Sequence, residues 1–371
     1  MNQSRENSIL FSSVNIGRVA IPNRFVRSAT HDFMANDDGS VTERQVALFA
    51  QLAEGEVGLI ITGHAFVHPS GKASPRQIGI HVDGMVEGLK LITRAVHRFP
   101  GRIFLQISHA GRQTKEKLCG CIPLAPSAVY EPTFKVTPKE MTRAEIHRVR
   151  DDFIQAGRRA KEAGFDGVQL HVAHGYLLSS FISPYTNRRE DEWGGSLPNR
   201  ARIVSEIVRG IKKSAGREFP VILKLNSSDF LPQGLNLEES IEIARLLEPD
   251  GIDGVEVSGG MSEAGKGSMW PGLRSEDEEG YFVESASRYK KEVHVPVFGL
   301  GGNRTFRVME RTVAGGKVDL ISMSRPFIRE PFLIKKFHIG EVSQSECISC
   351  NKCFNLRGIK CGELAKTQRQ A

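Results

Sequence analysis

Short apolar, β-branched runs recur along the chain, each followed by a longer stretch whose apolar positions return every three or four residues. Eight runs stand out, at residues 25–30, 57–62, 103–108, 167–171, 221–225, 254–258, 295–300 and 318–323. Helical spacing predicts helices over 42–53, 84–99, 142–163, 198–214, 237–247, 281–292 and 304–314, and residues 11–21 read as a closing hairpin. The runs are apolar on both alternations, as strands buried beneath helices must be. Eight strand–helix units of this kind predict an α/β protein with a closed parallel (β/α)8 TIM barrel. A doubly wound sheet would need a glycine-rich fingerprint after the first strand, where this chain has Ser28-Ala29-Thr30-His31. Three long connections, 110–141, 173–197 and 259–280, all follow strands and would crown the C-terminal face, where barrel sites form.

Composition narrows the class. With 371 residues, 40% hydrophobic and 25% charged, the chain suits a large globular core. No run reaches the roughly 18 apolar residues of a membrane span, and the first ten residues lack a secretory signal, so a cytoplasmic protein without a membrane partner is expected. The net charge of +7 is spread along the chain, which argues against a nucleic-acid track. Of six cysteines, Cys347, Cys350, Cys353 and Cys361 fall near the C-terminus. That asymmetry divides the chain into a barrel, 1–340, and a Cys-rich tail, 341–371, and argues against a disulfide framework.

Candidate chemistry concentrates after the fourth strand, in His171-Val172-Ala173-His174-Gly175-Tyr176. Two imidazoles can stabilise negative charge developing on a carbonyl oxygen, and a phenol can deliver a proton to carbon. The alternatives are loop histidines beside a packing tyrosine, or a metal site that no nearby Asp, Glu or Cys completes. Strand seven ends in Gly299-Leu300-Gly301-Gly302-Asn303 and strand eight in Ser322-Met323-Ser324-Arg325. Barrels commonly bind phosphate with these two loops, and Arg325 would add a charged fork; tight turns are the plainer reading.

These residues carry a resemblance. The segment from His171 through Ser196, HVAHGYLLSSFISPYTNRREDEWGGS, is similar to the signature of the old yellow enzyme family of FMN-dependent ene reductases. The likeness extends over about residues 8 to 340 and includes Asn23-Arg24, the run Leu105 to Arg112, Ala125-Pro126-Ser127 and Asn199-Arg200. It implies FMN in a barrel, reduced by NADH or NADPH. It further implies Ser28, Ala29, Thr30, His31 and Gly63 beside the flavin, with Gln106 at the pyrimidine edge. Lys224 then stands where the family usually has Arg, Gly301, Ser324 and Arg325 hold the phosphate, and Phe33 covers the pocket. His171 and His174 would bind the substrate carbonyl and Tyr176 would donate the proton. Two positions depart from the pattern: His31 replaces a Cys or Thr, and His64 brings an imidazole where a small residue is usual.

The tail Cys347-Ile348-Ser349-Cys350-Asn351-Lys352-Cys353, with Cys361 beyond, has spacing that lets thiolates converge on one cluster. It resembles the iron–sulfur junction of 2,4-dienoyl-CoA reductase and trimethylamine dehydrogenase, although their last gap is longer. A [4Fe-4S] cluster fed by an external electron donor, a tetrahedral zinc site and an unoccupied remnant all remain open, as does a homo-oligomer. Cys119 and Cys121 read as ordinary thiols. The expected activity is NAD(P)H-dependent reduction of the C=C bond of enones. Rivals are a dienoyl-CoA reductase or amine dehydrogenase using a cluster, and a tRNA-modifying flavoenzyme, which would need a barrel Cys acid that this chain lacks.

Overall fold

A computed structural model describes residues 5–265 and 267–364. The eight barrel strands are Phe25–Arg27, Leu59–Ile61, Arg102–Ser108, Gly167–Val172, Val221–Asn226, Gly254–Ser258, Val297–Gly299 and Leu320–Met323. Each pairs in parallel with its successor, and the eighth pairs with the first through Ile321↔Phe25, Ser322↔Val26 and Met323↔Arg27. The expected (β/α)8 barrel is therefore present and closed. Parallel strands need a crossover between them, and the helices that make these crossovers bury the strands' outer face.

Local chemistry starts the helices. Thr42 and Thr142 form capping boxes with Gln45 and Glu145 ahead of Glu43–Glu54 and Arg143–Glu162, and Asn236 caps Leu237–Leu247. Pro198 sits in the first turn of Leu197–Ala215, where its missing N–H costs nothing. The spacing missed four short helices among the described residues, Glu116–Cys119, Leu177–Ile182, Arg325–Arg329 and Leu333–His338, whose four to six residues are too few for a period to emerge. The first strand also ends at Arg27 rather than at residue 30, because the chain then turns across the barrel mouth.

Strands Val14–Ile16 and Val19–Ile21 form the expected hairpin, joined through left-handed Gly17. Ile16 and Ile21 pack in one cluster with Val26, Leu59, Ile61, Phe104, Ile222, Phe298 and Leu320, drawn from seven of the inner strand positions. The hairpin thus plugs one end of the barrel with hydrocarbon and leaves the polar layers at the other end. A second, larger cluster lies between barrel and helices.

The tail packs on the barrel. Ser345 N–H donates to Arg304 O (2.9 Å), Ile359 N–H to Asp32 O (2.8 Å) and the Arg44 guanidinium to Arg357 O (3.2 Å). These bonds bring the tail against the segments after strands one and seven.

Removing buried methylenes from the plug should be costly. Ile16→Ala is expected to destabilise the fold by about 2–4 kcal/mol in urea denaturation; a loss below about 1 kcal/mol would mean that the hairpin does not seal the barrel.

Candidate active site

At the plug's opposite end the barrel interior becomes polar. Register places Gln106 beside Gln169 and Lys224 beside Glu256. Gln106 Nε2 donates to Gln169 Oε1 (2.7 Å), Gln169 Nε2 donates to Glu256 Oε2 (3.0 Å), and Lys224 Nζ lies 3.1 Å from that oxygen. Lys224 also donates to Ser28 Oγ (2.8 Å). Burial alone would raise the Glu256 pKa; the Lys224 charge and hydrogen bonds from Ser322, Ser28 and Gln169 outweigh it and hold the carboxylate below its ordinary range. Sequence reasoning found Lys224 and Gln106 but missed Gln169 and Glu256. The signal was available: a Glu at the middle of the apolar run Gly254–Ser258 must be paired if buried.

A cavity of about 500 Å³ opens above this floor. Strand four leads into it through a sharp turn in which His174 and Gly175 are both left-handed (φ 64° and 82°). A Cβ at Gly175 would sit 2.4 Å from Gln113 Nε2, so the position admits only glycine. The strained His174 backbone is held at both ends, its N–H donating to Asn226 Oδ1 (3.1 Å) and its carbonyl accepting from Gln113 Nε2 (2.8 Å). The turn folds Tyr176 back onto His171, with ring centroids 4.6 Å apart, while His171 and His174 stand 5.2 Å apart and nearly perpendicular. His174 Nε2 is 2.7 Å from Ser258 Oγ, and His171 Nδ1 is buried with no hydrogen-bond partner among the described residues. The remainder of the signature segment is scaffold. Asn187 ties Phe181 O to Trp193 O, and Arg189 pairs with Asp191 (2.6 Å).

His171, His174 and Tyr176 are held neutral by burial. Desolvation lowers His171 far below 6.5, with the charges of His174, His64 and Lys224 adding to it, and takes His174 down to about 3. The same cause pushes Tyr176 up to about 12, so the phenol keeps its proton throughout the physiological range.

Of the other expected residues, Ser28, Ala29, Thr30, His31, Gln106, Lys224, Ser324 and Arg325 line the cavity. Gly63 and Gly301 lie behind its wall, Gly63 against Thr30 O and Gly301 against Tyr281. Phe33 does not line the cavity; it stacks on His31 at 3.8 Å. Arg325 Nη1 donates to Trp270 O (2.9 Å), Ser349 O (3.3 Å) and Asn351 Oδ1 (2.6 Å), so this end of the cavity is clasped between the 259–280 loop and the tail.

The tail itself supplies wall residues, among them Cys347, Cys353, Phe354 and Ile359. Burial pushes the Cys353 thiol up to about 11, with the nearby thiols of Cys347, Cys361 and Cys350 acting in the same direction. Even so, no three His, Cys, Asp or Glu side chains among the described residues are gathered as a metal-ligand set.

The barrel mouth thus gathers a hydrogen-bonding edge, a buried cation and neutral donors around one cavity. The chain belongs to the NADH:flavin oxidoreductase / NADH oxidase family, whose pattern matches residues 9–343. It is 38% identical over 345 residues to an NADH oxidase of Thermoanaerobacter brockii, covering 92% of this chain and 52% of that protein. A solved 2-naphthoyl-CoA reductase complex superposes with a TM-score of 0.86 at 31% identity, over 93% of this chain and 54% of the other. The old yellow enzyme homologue from Zymomonas mobilis gives 0.80 at 28% identity, over 95% and 97%. The chain thus spans about half the length of the first two proteins and nearly all of the third. The resemblance to old yellow enzymes read from the motifs holds.

Four imidazoles buried as neutral rings make stability depend on pH. His64 is lowered to about 4, His109 and His174 to about 3, and His171 also lies well below 6.5. Below pH 6.5 the unfolded chain binds protons that the folded chain refuses, so stability falls with pH, by about 1.4 kcal/mol per unit for each such ring. The urea midpoint should drop between pH 7 and pH 5; a midpoint unchanged across that range would contradict the neutral assignment.

Proposed function

We propose that the protein is an FMN-dependent NAD(P)H oxidoreductase that reduces the C=C bond of α,β-unsaturated carbonyl compounds. The observation that carries this reading is the convergence of His171, His174 and Tyr176 on one cavity whose floor holds Lys224 and Gln106. The residues present suit the flavin. Gln106 and Lys224 would hold the ring's polar edge, Ser28 to His31 would flank it, and Gly63 would allow close backbone approach. Gly301, Ser324 and Arg325 would receive the phosphate. Bound there, FMN would supply hydride-transfer chemistry between NADH or NADPH and the alkene.

The chain's own residues provide the polarisation and the proton. His171 and His174, both held neutral by burial, would donate hydrogen bonds to the carbonyl oxygen and stabilise the negative charge that grows there. Tyr176, 4.6 Å from His171, would deliver a proton to the α-carbon; its raised pKa keeps it a donor. Lys224 is paired with Glu256, so it would act as an oriented dipole and hydrogen-bond donor, with its net charge offset. Nicotinamide and alkene would use the same cavity in turn, which predicts ping-pong kinetics.

A second reading, a CoA-thioester reductase or amine dehydrogenase drawing electrons through the tail cysteines from a partner or further domain, is favoured by the half-length match to 2-naphthoyl-CoA reductase. It requires the four thiols to gather around a cluster. Stoichiometric iron in anaerobically purified protein would favour it.

Tyr176→Phe should leave flavin reduction by nicotinamide within about threefold and slow reoxidation by 2-cyclohexenone by about 10²-fold or more. Stopped-flow measurement of both half-reactions checks this, and an unaffected second half-reaction would remove Tyr176 from its role. His171→Ala/His174→Ala should abolish the spectral change that phenol causes in the oxidised holoenzyme; a retained change would refute the oxyanion site.

A further inference from the structure

His64 is a buried imidazole that the proposed reaction leaves unused. It follows the second strand, is only 7% exposed, and lines the cavity beside the catalytic group. Its ring is fixed by Gln77. The Ala73 N–H donates to Gln77 Oε1 (2.7 Å), which makes the other end of that amide the donor. Gln77 Nε2 then donates to His64 O (2.9 Å) and to His64 Nδ1 (2.9 Å). An Nδ1 that accepts a hydrogen bond carries no proton, so the neutral ring bears its hydrogen on Nε2. Ser108 Oγ, 3.2 Å from Nδ1, crowds the same edge and leaves Nε2–H as the edge for the cavity.

The position of this donor is specific. The His64 ring lies 5.2 Å from Tyr176 and 6.1 Å from His171, whereas His171 and His174 stand 5.2 Å apart as a separate pair. His64, His171 and Tyr176 therefore form a triangle, and a carbonyl oxygen between His171 and His174 leaves a second, preorganised donor at the third corner, 6.1 Å from His171 between ring centroids. Its other neighbour, His31, is 5.0 Å distant and has its Nε2 engaged with Ser74 Oγ, so it does not compete for the same acceptor.

We propose that His64 is a specificity-determining residue that recognises a second acceptor group, so that the cavity favours alkenes with carbonyls at both ends, such as cyclohexene-1,4-diones, over simple enones. The inference rests on the ene-reduction reading above. A site built around a fixed donor penalises a ligand that leaves the donor unpaired, and one such hydrogen bond is worth about tenfold in discrimination.

The test compares kcat/KM of FMN-loaded enzyme for ketoisophorone, an ene-dione, and 2-cyclohexenone in wild type, His64→Leu, His64→Ala and His64→Gln. The dione-to-enone ratio should fall about tenfold in the Leu and Ala variants, chiefly through the KM of the dione. It should recover in part in the Gln variant, whose amide can donate. Two apolar variants of different bulk keep the comparison available if one of them folds poorly. An unchanged ratio overturns the proposal, as does an equal loss on both substrates, which a role through Tyr176 would produce. If the wild type reduces neither alkene, the ene-reduction reading falls and takes this inference with it; reduction of both with an unchanged ratio removes His64 alone.

Discussion

The site depends on one interaction, the buried Lys224–Glu256 pair inside the barrel. A charge pair in this setting is expensive to desolvate, and its mutual attraction and hydrogen bonds must offset that cost. Here Ser28, just past the first strand, and Gln169 and Gln106 extend it across strands three to six into a continuous polar layer, while Glu256 Oε1 is buried without a partner among the described residues. That layer divides the interior. Below it, the hairpin and the inner side chains form a hydrocarbon plug; above it, the barrel mouth stays open and wettable. Removing either charged partner would strand the other in a medium that cannot hold it.

Above the floor, backbone geometry brings the reacting groups together. Two successive left-handed residues, His174 and Gly175, return the chain on itself immediately after the fourth strand, so that residues 171 and 176 meet although the strand alone would separate them. Asn226 and Gln113 hold the turn from neighbouring elements. Because these groups are buried, the imidazoles stay neutral and the phenol stays protonated, which suits hydrogen-bond donation and proton delivery.

Much of this was legible in the sequence. Strands buried on both faces announce themselves as continuous apolar runs, so all eight were placed. His171, His174 and Tyr176 were found because their spacing is compact and local. What escaped was pairwise and distant. Glu256 meets Lys224 only after two strands align, Gln169 joins them across a third, and His64 acquires its tautomer from Gln77 thirteen residues away. The tail was the other surprise: its cysteines were set apart from the barrel, with a cluster, a zinc site and an unoccupied remnant all open, yet Cys347 and Cys353 help wall the cavity and Arg325, expected at a phosphate, also clasps Ser349 and Asn351. Such contacts follow from tertiary placement, which residue spacing does not encode.

The central claim is that one cavity serves both the nicotinamide and the alkene. The most direct measurement is a single anaerobic turnover. Holoenzyme is reduced with one equivalent of NADH or NADPH, freed of the oxidised nucleotide, and mixed with one equivalent of 2-cyclohexenone. Full return of the oxidised-flavin spectrum with one equivalent of cyclohexanone is predicted. A flavin that stays reduced, with the enone recovered unchanged, would contradict the account.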